Sequence, residues 1–109
     1  MLIVTTTEPA LLPQPTRAEI RVENVLQALG DPVRLVLVRA LAAAPEGIAC
    51  GEVPLPVTKS TRTHHVRTLR EAGVISVHAE GTRRISTLRR DDLDSLYPGL
   101  LDGVLAAER

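Results

Sequence analysis

Lys59-Ser60-Thr61-Arg62-Thr63-His64-His65-Val66-Arg67-Thr68-Leu69-Arg70-Glu71-Ala72-Gly73-Val74-Ile75 is the stretch whose reading decides the fold. Thr58 or Ser60 supplies a capping hydroxyl, Val66, Leu69 and Gly73 share one helical face, and Gly73 is the natural exit from the helix. The opposite face holds Ser60, His64, Arg67, Thr68 and Glu71. Hydroxyls, an imidazole and a guanidinium are groups that contact phosphates and base edges, whereas a solubilising face more often mixes Glu with Lys. Beyond Gly73 the period changes: 74–79 reads as a strand, Glu80-Gly81 as a hairpin turn and 84–88 as the return strand. A two-stranded hairpin is marginal alone and must lean on helices. The outline is a recognition helix with a wing.

Charge marks the same region. Residues 59–90 carry eight Lys and Arg against only Glu71 and Glu80, a surplus of +6 inside a chain whose formal net charge is zero. The flanks compensate, with −2 over residues 1–58 and −4 over 91–109. Such segregation is the electrostatic footprint of a polyanion-binding surface.

Working outward, Pro9, Pro13 and Pro15 give residues 1–16 no helical period, so an extended or mobile N-terminal arm is expected before a folded domain at 17–109. Ala18, Val22, Val25, Leu26 and Leu29 form the stripe of an amphipathic helix ending at Gly30. Asp31-Pro32 then supplies an N-cap and a first-turn proline for a helix over 32–44, apolar almost all round and expected to be central and buried. A short helix is expected near 50–55, limited by Pro54 and Pro56. After the hairpin, Leu93, Leu96, Tyr97, Leu100, Leu101, Val104 and Leu105 repeat at helical spacing, and Pro98 predicts a kink or a short helix joined to a longer one. The expected class is mainly α with a small β-hairpin (α+β), in the order α-α-α-α-β-β-α: a winged helix-turn-helix.

With 109 residues and 44% hydrophobic content the chain should fold as one domain. Its only aromatic is Tyr97, so the core is built from aliphatic side chains, and a dimer that buries a further apolar face is a plausible source of stability. Cys50 is alone, which excludes an intrachain disulfide and suits a reducing compartment. No run approaches the roughly 20 apolar residues of a membrane span. Met1-Leu2-Ile3-Val4 lacks a basic n-region and stops at Thr5-Thr6-Thr7, unlike a secretory signal. A soluble cytoplasmic protein without a membrane partner is expected.

Three segments resemble the ArsR-type bacterial repressors: Ala28-Leu29-Gly30-Asp31-Pro32-Val33-Arg34-Leu35, the stretch 59–75, and Glu80-Gly81-Thr82-Arg83-Arg84. With the end helix, the resemblance covers nearly everything after residue 18. It implies a homodimer paired through helices at 17–29 and 91–107, which points to Val22, Val25, Leu93, Leu96, Leu100, Leu101, Val104 and Leu105 as the dimer interface. It also places Lys59, Ser60, Thr61, Arg62, Thr63, His64, His65, Arg67 and Thr68 on a recognition helix in the DNA major groove, with Arg83 and Arg84 on the wing. Thr63-His64-His65-Val66 is similar to the family's Ser-x-His-Leu pattern. Arg62 departs from it, standing where the family has an aliphatic residue. Two readings stay open, a residue that simply packs and one whose stem packs while its head snorkels toward DNA. Arg89 and Arg90 adjoin the acidic start of the last helix and are expected to pair there, leaving nearer +4 per subunit for DNA.

Many members of that family sense metals, and here the ligands are missing but for one plausible carboxylate, Asp92. The Cys-x-Cys position reads Ala49-Cys50-Gly51, with Cys50 expected to be a buried structural residue, and the second family site aligns with Arg90, Asp92, Gly103 and Ala106. His64 and His65 point about 100° apart on a helix, and His78 stands alone on a strand. No metal and no cofactor are expected. Asp91, Asp92 and Asp94 sit at a helix start, where carboxylates meet the macrodipole, and Ser60 with His64 lacks a third orienting group, so no enzyme is expected. RNA recognition lacks its aromatic platform. The sequence therefore reads as a sequence-specific, double-stranded-DNA-binding transcriptional regulator, a homodimeric repressor on a pseudo-palindromic operator. The alternative is a winged helix serving as a protein-interaction module. No inducer is legible.

Overall fold

Asp31 starts the central helix. Its carboxylate accepts the N–H groups of Val33 and Arg34 at 2.8 and 3.0 Å, and Pro32 fills a first-turn position where a backbone N–H would go unused. In the computed structural model, which describes residues 10–108, the elements are β1 (Ala10–Leu11), α1 (Val22–Leu29), α2 (Pro32–Ala42), α3 (Lys59–Ala72), β2 (Ile75–Glu80), β3 (Arg83–Leu88), α4 (Arg90–Leu96) and α5 (Leu100–Ala106), with 3-10 turns at Arg17–Glu19 and Cys50–Glu52. This is a winged helix-turn-helix of the α+β class. Leu37, Val38 and Leu41 of α2 are fully enclosed by Val25 and Ala28 of α1, Leu69 of α3, Val74 and Ile75, and Leu93 and Leu101 from the last two helices. Aliphatic packing thus replaces the missing aromatics. Val36, expected to be buried, is 42% exposed, so α2 turns one edge to solvent.

The amphipathic stripe from Ala18 is not one helix. Thr16 and Glu19 close a capping box around a 3-10 turn, Ile20 then goes extended, and α1 starts only at Val22. The break lets the buried Ile20 side chain lie over Gly73, where a Cβ would come within 2.5 Å of it. Gly73 itself has φ +86 and caps α3 in the left-handed region, so two independent constraints require glycine there. The short third helix is a single 3-10 turn, and the Pro98 kink is a full interruption, with Gly99 at φ +86 starting α5.

The hairpin pairs Ile75 with Leu88 through to Glu80 with Arg83. Its turn is Gly81-Thr82, one residue later than the sequence suggests, with positive φ at Gly81 alone, as a II′ turn has. Residues 1–9 of the expected N-terminal arm lie outside the described residues. The remainder of the arm is docked on the domain: Ala10 and Leu11 pair antiparallel with Ala79 and His78, which makes a three-stranded sheet in the order β1-β2-β3. Arg70 Nη1 and Arg89 Nη1 donate to the carbonyls of Pro13 and Pro15 at 2.5 and 2.6 Å, so cations from two elements hold this segment. Across the sheet, Ile48 bridges Ser86 of β3.

Candidate nucleic-acid interface

Thr58 caps α3, its hydroxyl oxygen accepting the Thr61 N–H at 3.3 Å and its hydroxyl donating to Thr61 Oγ1 at 3.0 Å. The capped first turn and the outward face expose Lys59, Ser60, Thr61, Thr63, His64 and Arg67, with Thr68 half-buried. A helix N-terminus ringed by hydroxyls and a lysine is favourable for a phosphate, because unpaired N–H groups and the macrodipole both face it. The hydroxyls of Thr63 and Thr68 donate to the carbonyls of Lys59 and His64, each at 3.0 Å, which fixes their rotamers and turns their oxygen lone pairs outward as acceptors.

Two residues expected on the DNA face point inward. His65 is only 8% exposed, and its Nδ1 accepts from Arg34 Nη1 at 3.1 Å. A guanidinium only donates, so the ring proton of a neutral His65 lies on Nε2. The same Arg34 donates from Nε to Ala28 O at 2.6 Å and from Nη2 to Gln27 O at 3.3 Å. It satisfies carbonyls at the C-terminal end of α1 and grips α3 as well, joining three helices through one side chain. Arg62 donates from Nη1 to the carbonyls of Cys50 and Val53, the latter at 2.5 Å. Its head therefore ties the 3-10 turn to α3. His65 thus faces α2, contrary to the expectation from sequence, and Arg62, for which two readings were open, is anchored to the 3-10 turn; the family pattern marked these positions, and only the tertiary contacts show which way they face.

The wing arginines differ from each other. Arg83 pairs with Glu52 at 2.7 Å across an exposed gap, whereas Arg84 has no acidic partner among the described residues and faces α3. Arg89 pairs with Asp92 at 2.9 Å, and Arg90 with Asp94 at 3.1 Å and with Asp102. The expectation that these two are engaged by the last helices is met. Asp92 also accepts from Arg17 at 2.6 Å, and that bond, followed by the one from Arg89, holds its carboxyl below the ordinary value. The cations of 59–90 without an acidic partner among the described residues are thus Lys59, Arg62, Arg67, Arg70 and Arg84.

Of the residues expected at a dimer interface, Val25, Leu93 and Leu101 are fully buried within the protomer and belong to its own core. The amphipathic pattern marked them as apolar without saying which of two apolar surfaces they serve. Val22 and Leu26, at i and i+4 on α1, are 42% and 52% exposed, and Leu96, Leu100, Val104 and Leu105 are half-buried. Cys50 is buried beside Ser86 and Arg62, and burial pushes its thiol above the ordinary value despite the Ser86 hydrogen bond and the Arg62 charge. Among the described residues no three His, Cys, Asp or Glu side chains converge, and no helix is long and apolar enough to cross a membrane.

A family model described as "Helix-turn-helix domain" matches residues 29–78, from the end of α1 to the middle of β2. An uncharacterised HTH-type transcriptional regulator of Bacillus subtilis (strain 168), YceK, is 33% identical over 81 residues, covering 72% of this chain and 81% of its own. The HTH-type transcriptional regulator Rv2034 of Mycobacterium tuberculosis is 34% identical over 90 residues, covering 74% and 82%. An uncharacterised HTH-type transcriptional regulator of Methanocaldococcus jannaschii, MJ1325, is 32% identical over 60 residues, covering 54% and 67%.

Proposed function

The chain belongs to the helix-turn-helix transcriptional regulators, and on that footing we propose that it is a homodimeric repressor of the ArsR type that reads a pseudo-palindromic operator. The observation that carries this reading is the exposed face of α3: Lys59, Ser60, Thr61, Thr63, His64 and Arg67 form a continuous polar surface at a capped helix N-terminus, beside a wing that presents Arg84. Ser60, Thr61, Thr63 and His64 are assigned to base edges, and Lys59, Arg67 and Arg84 to phosphates. Arg62 and His65 are assigned to holding α3 in place, and Arg83 a lesser share because Glu52 engages it.

Dimerisation is supported by Val22 and Leu26, which lie exposed one turn apart on one face of α1. With half-buried Leu100, Val104 and Leu105 of α5 they supply the apolar surface for a second copy. Two α3 helices would then enter successive major grooves about 34 Å apart. A dimer seated there represses by occupancy, because it and the polymerase compete for the same DNA. The function proposed is binding alone.

Hydroxyl-radical footprinting over the chain's own promoter region, with sedimentation of the free protein, tests the proposal. Two protected patches one helical turn apart and a dimeric mass are expected. Uniform protection without a preferred site, or a monomer at the binding concentration, overturns it.

A further inference from the structure

Between α3, the base of the wing and the 3-10 turn lies a cleft of about 490 Å³. Lys59, Arg62, Arg67, Arg70 and Arg84 all line it, and no Asp or Glu does. Outside the cleft, Arg34 and Arg39 donate to main-chain carbonyls, and Arg17, Arg21, Arg83, Arg89 and Arg90 have carboxylates beside them. The five in the cleft lack such carboxylates. Arg62 and Arg70 each spend one nitrogen on main-chain carbonyls and keep further N–H donors; Lys59, Arg67 and Arg84 have no partner among the described residues. Five like charges around one concavity repel one another, and a cleft walled by a single sign of charge over low-dielectric walls concentrates the field on any anion that enters.

The floor is of the opposite character. Half-buried Leu12, Val57 and Val66 and buried Val77 line it, with Cys50, Thr63 and Ser86 as the uncharged polar groups among them. A phosphodiester makes no use of apolar lining. A cleft of roughly 300–1,000 Å³ with an apolar floor and a few convergent polar groups is the usual form of a small-molecule site.

We propose that this cleft binds a single-headed organic anion with an apolar body, and that its occupant and DNA exclude each other. The head is held by Arg67 and Arg84 from opposite walls, and the body lies on Val57 and Val66. The exclusion rests on the DNA-binding reading above, since Lys59, Arg67 and Arg84 are the groups assigned there to phosphates. The binding itself does not.

Isothermal titration of the full chain without DNA tests the site, using octanoate, octanol, acetate and octylammonium as probes. One octanoate per chain is expected, bound at least about tenfold tighter than octanol or acetate, with no saturable octylammonium. Arg67→Gln and Arg84→Gln, both at exposed positions, should each weaken octanoate about tenfold, while Arg21→Gln, outside the cleft, leaves it unchanged. Circular dichroism confirms that the variants are folded. Octanol binding as tightly as octanoate, acetate doing so, or octanoate indifferent to both cleft variants overturns the assignment. In a second measurement, octanoate should displace a labelled promoter duplex, with DNA weakening octanoate by the same factor. Simultaneous binding overturns the exclusion alone. A chain that takes octanoate yet shows no preference for promoter DNA keeps the site and loses the regulator reading, and the converse result does the reverse.

Discussion

Arg34→Met removes a guanidinium and keeps most of the stem, which isolates what its three contacts do. The bond from Nε to Ala28 O at 2.6 Å is charge-assisted and part-buried, in a class where such bonds contribute about 1.5–3 kcal/mol. The bond to Gln27 O at 3.3 Å is exposed, and water replaces it at little loss. Losing the donor to His65 Nδ1 leaves an acceptor unsatisfied on a residue 8% exposed, a penalty of about 1–3 kcal/mol. Because the two terms overlap, about 2–4 kcal/mol is expected, which lowers the melting temperature of a domain this size by about 10–25 °C. His65→Leu removes the acceptor instead. In the double variant the orphaned nitrogen no longer exists, so the pair should be less destabilised than the two single losses added, by about 1–2 kcal/mol. Urea melts followed by circular dichroism measure all three. A loss below about 0.5 kcal/mol for Arg34→Met, or additivity within about 0.3 kcal/mol, refutes the strut. His65→Leu, if it still folds, should select the same DNA motif as the parent chain, because the imidazole faces α2.

Asp31→Ala should destabilise by about 1 kcal/mol through loss of the α2 cap. The Arg34 backbone N–H, then that of Val33, hold the Asp31 carboxyl below its ordinary value, so its contribution is complete above the unfolded value near ~4 and fades as pH falls through the lower folded one. Melting temperatures of parent and variant should therefore converge on acidification, and a constant gap down to strongly acid pH would count against it. Leu101→Asp places a charge at a fully buried position and should unfold the protomer, whereas Leu26→Asp, at 52% exposure, should keep the fold and dissociate the dimer; sedimentation with circular dichroism separates the two, and a folded monomeric Leu101→Asp chain contradicts the assignment. Arg84→Gln should lower the slope of log affinity against log salt by about one, and Arg83→Gln by less because of Glu52. Equal slopes for the two variants would remove the distinction between them.

The fold was legible from local signals because those signals are local in their physics. Asp31-Pro32 fixes a helix start, Gly73 a helix end and Gly81 a turn, each through backbone geometry that neighbours do not alter. What the sequence left open depends on partners distant in the chain. His65 reads as a groove-facing imidazole until Arg34, 31 positions earlier, is seen to reach it. Arg62 is drawn inward by two carbonyls of a 3-10 turn that the sequence presents as a proline-limited helix. Val25, Leu93 and Leu101 show the limit of an apolar stripe: periodicity identifies the face that avoids water and leaves open whether the protomer or a partner covers it. The pairing of Arg89 and Arg90 was foreseeable since their acids lie within a few residues; the Glu52–Arg83 pair spans 31 residues and carries no sequence signal. Nor does the docking of residues 10–15, whose carbonyls are held by Arg70 and Arg89.

The claim on which the account turns is that the outward face of α3 reads base sequence. Fluorescence anisotropy at about 0.15 M salt, comparing a duplex carrying the footprinted promoter site with a scrambled duplex of equal length and composition, tests it most directly. The promoter site is expected to bind about 10³-fold or more tightly, and His64→Ala to narrow the ratio while leaving scrambled-duplex affinity nearly unchanged. A ratio near one, or a His64→Ala chain that weakens on both duplexes alike, would contradict it.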